Sequence, residues 1–212
     1  MSTLQNLYQR IQCDINVRLL DFHTLWSCGS DAEIFQEMCF CACTPQTDAK
    51  HAWDAVTQLH DLDYFETGSF EEIAFVLREA GVRFHKNKTK YILTNRDTFF
   101  PNTKAILSEL VLGNDISMTR DTLVHQVAGW GLKEASHFLR NTGWGGEVCI
   151  LDRHIMKQLC EYGVLAAIPA TLSKPVYLKI EQDMKQFALD EHIPVDALDL
   201  VFWYQEKGEI FR

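Results

Sequence analysis

No apolar run in the chain approaches the roughly 20 residues that a membrane-spanning helix needs, and the opening MSTLQNLYQRIQ lacks the basic-then-apolar order of a secretory signal. An intracellular protein, cytoplasmic or with the nucleoid and without a membrane partner, is therefore expected. A disulfide framework is missing too: seven cysteines, an odd number without repeated spacing, fit reduced thiols. Cys39, Cys41 and Cys43 alternate in CFCAC, a poor spacing for tetrahedral zinc, which usually takes two CxxC-type pairs. They lie in an apolar run, where a free thiol behaves as a small hydrophobe. No metal held by side chains and no cofactor are expected. Positive charge is also lacking overall, and a net charge of −9 argues against wholesale electrostatic capture of nucleic acid.

The chain does have a normal globular balance, 47% apolar and 23% charged residues, in a length able to bury a sizeable core. Its charge is uneven. Segment 78–96, REAGVRFHKNKTKYILTNR, carries six Lys/Arg and one His against a single Glu, whereas Asp61, Asp63, Glu66, Glu71 and Glu72 belong to the acidic excess elsewhere. A basic stripe on an acidic protein is compatible with a local phosphate-binding face; a solvated helix end accounts for it equally well.

Helical periodicity dominates. Helices are expected over 31–43, 49–62, 69–81, 88–99, 102–113, 120–131, 132–143, 152–163, 174–192 and 194–208. Gly81, Gly113, Gly143, Gly163 and Gly208 follow apolar periods and suit left-handed helix stops, and Pro175 and Pro194 fall near first turns. The first thirty residues read as either helix or extended chain. With no strand pair, βαβ alternation or internal repeat, the expected class is all-α, a two-lobed orthogonal helical bundle.

Within LVHQVAGWGLKEASHFLRNTG, a helix ends at Ala128, Gly129-Trp130-Gly131 makes a hairpin, and a second helix follows. Alternate glycines let backbone N–H groups approach a partner closely, and a helix N-terminus adds partial positive charge. Together they make a sequence-independent phosphate clamp, although purely structural helix hairpins use GxG too. Nineteen residues after Lys133, Asp152 precedes an amphipathic helix in CILDRHIMKQL. Asp152 there is either an ordinary N-cap or, if it converges with Lys133, half of a catalytic pair.

The order helix, AGWGLK, helix, Gly-rich loop, CILDRH resembles the helix-hairpin-helix/Gly-Pro-Asp superfamily of DNA glycosylases. It is most similar to the compact archaeal-type 8-oxoguanine DNA glycosylase/AP lyases. The resemblance runs from about Phe35 to the C-terminus and takes in CFCACTPQTDA, RFHKNKTKYI and DLVFWYQEKGEIFR. It implies one glycosylase unit over residues 1–212, built of two packed helical lobes with the DNA-binding hairpin at about 120–143. Ala128 stands where the family usually has Pro. Endonuclease III-like relatives often carry a four-Cys iron–sulfur loop after the Asp; this chain has only Cys160 there, which excludes that cluster.

The implied function is bifunctional: excision of 8-oxoguanine through a Lys Schiff base, with strand nicking 3′ to the abasic site by β-elimination. Lys133 would be the nucleophile and Asp152 the carboxylate that stabilises developing charge on the sugar. Gly129 and Gly131 would hold phosphate through their amides, His154 would contact phosphate, and Gln46 would fill the gap beside the orphaned base. A monovalent cation would sit on the carbonyls of His125, Val127 and Trp130. Asp199, Trp203 and Arg212 would recognise the extruded base, Trp203 by stacking; Arg212 replaces the Lys typical of that branch. The expected partner is double-stranded DNA containing a damaged base, bound by a monomer. A non-catalytic helix-hairpin-helix DNA-binding module, or a glycosylase for another oxidised base, is the alternative.

Overall fold

The computed structural model of the protein describes residues 2–111 and 115–212, and Gly113, expected as a helix stop, lies outside them. Among the described residues there are eleven α-helices, one short 3-10 turn at Gly145–Glu147 and no strand. No helix among them is long and apolar enough to cross a membrane. The chain forms two compact units, one made of Met1–Thr24 with Leu139–Arg212 and the other of Leu25–Phe138.

The middle unit contains α2 (Asp31–Cys43), α3 (Ala49–Asp61), α4 (Phe70–Glu79), α5 (His85–Phe99), α6 (Thr103–Val111) and α7 (Ile116–Gln126). Helix starts follow from capping chemistry. Ser30 with Glu33 and Ser69 with Glu72 form reciprocal capping boxes at α2 and α4, each satisfying amides that a helix start leaves without partners. Asp48 and Asp115 cap α3 and α7. Every residue from Ile34 to Cys43 is buried, as expected of a helix central to its unit. That places Cys39, Cys41 and Cys43 in the core, and burial raises Cys39 well above the usual thiol range and Cys43 to about 12.

Three boundaries differ most from expectation. The α5 helix begins three residues before Lys88, after Phe84, which adopts φ +56° with no side-chain cap; nothing polar marks that start. The α7 helix runs from Ile116 rather than Arg120, because Asp115 accepts the Met118 amide at 2.6 Å. It also stops at Gln126, so the hairpin opens at Val127.

The terminal unit takes most of α1 (Thr3–Cys28) with α9 (Arg153–Glu161), α10 (Lys174–Asp190) and α11 (Val195–Lys207). Of the undecided first thirty residues, Thr3–Cys28 form a helix that buries Leu4, Tyr8, Ile11, Ile15 and Phe22, a spacing of threes, fours and sevens that is helical. Pro175 lies in the first turn of α10 and Pro194 caps α11. Gly81, Gly143, Gly163 and Gly208 all take positive φ, the left-handed stop expected of them. The remaining helix, α8 (Leu132–Asn141), follows the hairpin.

Candidate active site

The hairpin between α7 and α8 is built by close packing. Gly129 has φ +84°, and a Cβ there would lie 2.3 Å from Cδ2 of Tyr91, so both backbone and space require glycine. Trp130, whose role the sequence left open, is buried with its ring 5.2 Å from Phe138. Its amide donates to the Val127 carbonyl at 3.3 Å. The Gly131 amide donates to Glu134 Oε2 at 3.0 Å, an internal carboxylate occupying the position where a phosphate oxygen was expected. The carbonyls of His125, Val127 and Trp130 lie at or just beyond the C-terminal, partially negative end of α7. Neutral oxygens in that field fit a monovalent cation, and the Val127 carbonyl keeps a second lone pair for it.

Ala128, where the resemblance leads Pro to be expected, uses what Pro lacks. Its amide donates to Asn95 Oδ1 at 2.8 Å and its carbonyl accepts from Asn95 Nδ2 at 3.2 Å, with Asn95 almost wholly buried. Ala128→Pro should therefore destabilise the protein by about 1–2 kcal/mol. It strands the buried Asn95 oxygen at about 1–3 kcal/mol and recovers only about 0.4–1 kcal/mol of chain entropy. The same change in an Asn95→Ala background should be neutral or stabilising, and urea midpoints of the four proteins would reveal that reversal of sign.

Lys133, in the first turn of α8, is half-buried, with Nζ 2.8 Å from Thr44 Oγ1 and 3.5 Å from Glu134 Oε1. Thr44 closes α2 and opens the turn that carries Gln46. Gln46 is exposed at the turn's apex with φ +55°; the cap of α3 is Asp48, which frees Gln46 of that duty. Lys88 fastens the turn, donating to the Cys43 carbonyl (2.7 Å), the Pro45 carbonyl (2.9 Å) and Thr47 Oγ1 (2.9 Å). Burial, reinforced by the Lys133 and Arg83 charges against the opposing pull of Cys43, lowers Lys88 to about 8. It is still an ammonium at neutral pH, with one oxygen for each N–H. The basic stripe is thus partly structural: Lys88 is internal, Arg96 donates to the Gly68 carbonyl at 2.7 Å, and Arg83, Lys86 and Lys90 remain exposed.

Asp152 belongs to the terminal unit. It caps α9, Oδ1 accepting the Ile155 amide at 2.8 Å, so the capping role is real and engages one of its two oxygens. The preceding segment VCIL is pinned by α10. Glu181 accepts the Cys149 amide at 2.7 Å, and the Tyr177 hydroxyl donates to the Cys149 carbonyl at 2.6 Å while accepting the Leu151 amide at 3.3 Å. His154 Nδ1 meets Glu206 at 2.8 Å, and its ring stands edge-on to Trp203 at 6.1 Å. Trp203 also stacks with Phe211 at 6.5 Å and is approached by Lys207 at 5.6 Å.

Asp199, four residues before Trp203, has different company. Its Oδ2 is 3.1 Å from Arg140, Oδ1 makes no hydrogen bond among the described residues, and burial raises the carboxyl to about 6 with Arg140 opposing. The guanidiniums of Arg140 and Arg212 lie over Phe22, 4.8 and 5.8 Å from its ring centre. The terminal unit therefore groups Asp199, Arg140, Phe22 and Arg212, and separately His154, Trp203 and Phe211.

Sequence reading missed Thr44, Lys88, Asn95, Tyr177 and Glu181, all supports for the expected residues. One signal was available: Lys88, Ile92, Asn95 and Phe99 repeat at helical spacing on the buried side of α5, and polar groups on a buried stripe have partners.

An all-α fold with a glycine hairpin feeding a half-buried lysine defines a helix-hairpin-helix protein, and comparison with known proteins gives the family. Residues 15–193 match the 8-oxoguanine DNA glycosylase family model of the helix-hairpin-helix type, and the chain belongs to that family. The 8-oxoguanine DNA glycosylase/AP lyase of Fusobacterium nucleatum is 35% identical over 210 residues, 99% of this chain and 96% of the relative. The crystal structure of the 8-oxoguanine DNA glycosylase of Thermotoga maritima superposes with a TM-score of 0.87 at 29% identity, over 99% of this chain and 96% of that one. The Methanocaldococcus jannaschii 8-oxoguanine glycosylase/lyase in complex with a 15mer DNA containing 8-oxoguanine gives 0.87 at 30% identity, with both chains wholly covered.

Proposed function

We propose that the protein is a bifunctional DNA repair enzyme that excises 8-oxoguanine from double-stranded DNA and then nicks the strand. The observation that carries this reading is a lysine amine set at the exit of the glycine hairpin, in a chain belonging throughout its length to a family of 8-oxoguanine glycosylases. The extruded nucleotide presents C1′ to Lys133. Nζ bonds to C1′ as the bond to the base nitrogen breaks, the base leaving with the electron pair and then a proton. The sugar ring opens to a protonated Schiff base. Loss of a C2′ proton expels the 3′ phosphate, which is the nick. Asp152, through its remaining oxygen, stabilises positive charge on the sugar and assists the proton transfers.

The amides of Gly129 and Gly131 take backbone phosphate, the latter once Glu134 gives way. His154 contacts a second phosphate through the ring nitrogen not engaged by Glu206, and Gln46 occupies the gap beside the orphaned base. The carbonyls of His125, Val127 and Trp130 would hold a monovalent cation, which would supply positive charge for binding an anion. Asp199 Oδ1 accepts from the N–H edge of the guanine, Trp203 stacks on it, and Arg212 completes the contacts. The enzyme acts as a monomer and as one glycosylase unit inside the cell, where its DNA is.

The test is incubation with duplexes containing 8-oxoguanine, thymine glycol or uracil in the presence of borohydride, which reduces a Schiff base to a stable amine. A covalent complex is expected with 8-oxoguanine. Trapping with thymine glycol alone would assign another base specificity. Binding of all three without trapping would leave a DNA-binding module.

A further inference from the structure

Thr44 stands between two commitments that fix what its hydroxyl can do. A hydroxyl has one hydrogen to give and two lone pairs to offer. Thr44 gives its hydrogen to the Cys41 carbonyl at 2.9 Å, at the end of α2, and accepts from Lys133 Nζ at 2.8 Å. Toward Lys133 it is therefore an acceptor only. That distinction matters for a nucleophile. A neutral amine has two N–H bonds and one lone pair, and a free hydroxyl would donate to the lone pair and quench it. A hydroxyl already committed to Cys41 takes an N–H instead, which turns the lone pair away from the protein wall.

The turn that presents Thr44 is held on both sides. Lys88 bonds Cys43, Pro45 and Thr47, the residues at −1, +1 and +3 from Thr44, and Thr47 Oγ1 accepts the Arg83 amide at 3.1 Å as well. All three Lys88 N–H bonds are used there, so the second ammonium does not compete with Lys133 for the hydroxyl. An unfastened turn would let Thr44 drift, and a small displacement of a reacting group is expensive in rate.

We infer that Thr44 is the positioning residue that aims the Lys133 amine at the sugar, with Lys88 holding the turn that presents it. This rests on the reading of Lys133 as the nucleophile. Thr44 is also a helix cap, and a capping role alone predicts lost stability with unchanged chemistry.

The experiment compares wild type, Thr44→Val, Thr44→Ala, Thr44→Ser, Lys88→Met and Lys133→Gln. It reads the single-turnover rate of base release and trapping at saturating 8-oxoguanine duplex, the Kd for that duplex, and the melting temperature. Thr44→Val and Thr44→Ala should slow the saturated rate by about tenfold to a hundredfold, with Kd within about twofold, the pattern of an interaction that serves the chemical step rather than binding. Thr44→Ser, which keeps the hydroxyl, should stay within about threefold of wild type. Lys88→Met should slow the rate in the same direction.

Wild-type rates in folded Thr44→Val and Thr44→Ala, or a folded Thr44→Ser as slow as they are, overturn the inference. If the Val variant does not fold, the Ala and Ser variants still decide it. Lys133→Gln separates the two levels. Silence there with an active Thr44→Val sinks the positioning role and spares the nucleophile, whereas trapping by Lys133→Gln removes the nucleophile assignment itself.

Discussion

Lys133→Gln is expected to bind an 8-oxoguanine duplex, give no borohydride-trapped complex and lose strand nicking by on the order of 10⁴-fold or more, the scale on which removing a covalent nucleophile acts. Gln still accepts and donates hydrogen bonds and is close in length, so the Thr44 contact and the packing of α8 are largely retained. What disappears is the amine proposed to form the imine. Asp152→Asn is the sharper companion. Asn caps a helix about as well as Asp, so the Ile155 amide at 2.8 Å keeps an acceptor and α9 keeps its stability. The negative charge is lost, and base release should slow by about 10²–10³-fold, the usual range for one lost electrostatic contact to a transition state. Asp152→Ala removes both functions and should add about 1 kcal/mol of destabilisation. If Asp152→Asn releases base at the wild-type rate while Asp152→Ala only lowers stability, Asp152 is a cap and nothing more.

Helices α2 and α4 were readable because their signals are local. Ser30-x-x-Glu33 and Ser69-x-x-Glu72 announce α2 and α4 within four residues, and the glycine stops did the same at four ends. Legibility failed where the determinant is tertiary. Phe84 opens α5 from a left-handed conformation that no propensity favours, and it is tolerated because the turn beside it is bound by Lys88 and Arg83. The hairpin glycines were visible, but their reasons were not. Gly129 yields space to a Tyr91 ring from another helix, and the Gly131 amide meets Glu134. Lys133 and Asp152 could be singled out by spacing and resemblance, whereas Thr44 reaches Lys133 across 89 positions of sequence. A long-range acceptor of that kind leaves no pattern in one chain.

Arg140→Met should cost more stability at pH 8 than at pH 5. In the native protein, burial raises Asp199 from 3.8 to about 6, and the Arg140 guanidinium restrains that rise. A carboxyl whose folded pKa exceeds its unfolded value binds its proton more tightly when folded. Its contribution is fullest below pH 4 and declines as pH climbs from about 4 through about 6. Without Arg140 the restraint is gone and the folded pKa moves higher still. At pH 5 Asp199 is mostly protonated with or without Arg140, so the variant loses mainly the packing of the guanidinium over Phe22 and its other contacts. At pH 8 the wild-type carboxylate has its partner at 3.1 Å, and the variant must bury an unpaired charge or take up a proton. Breaking a buried pair from one side costs about 3–5 kcal/mol. The pH 8 loss should therefore exceed the pH 5 loss by about 1.4 kcal/mol for each unit that Asp199 rises. Urea midpoints at the two pH values measure the difference directly. Equal losses would mean that Arg140 supports the terminal unit by shape alone, and that the charge of Asp199 is set by burial and not by its partner.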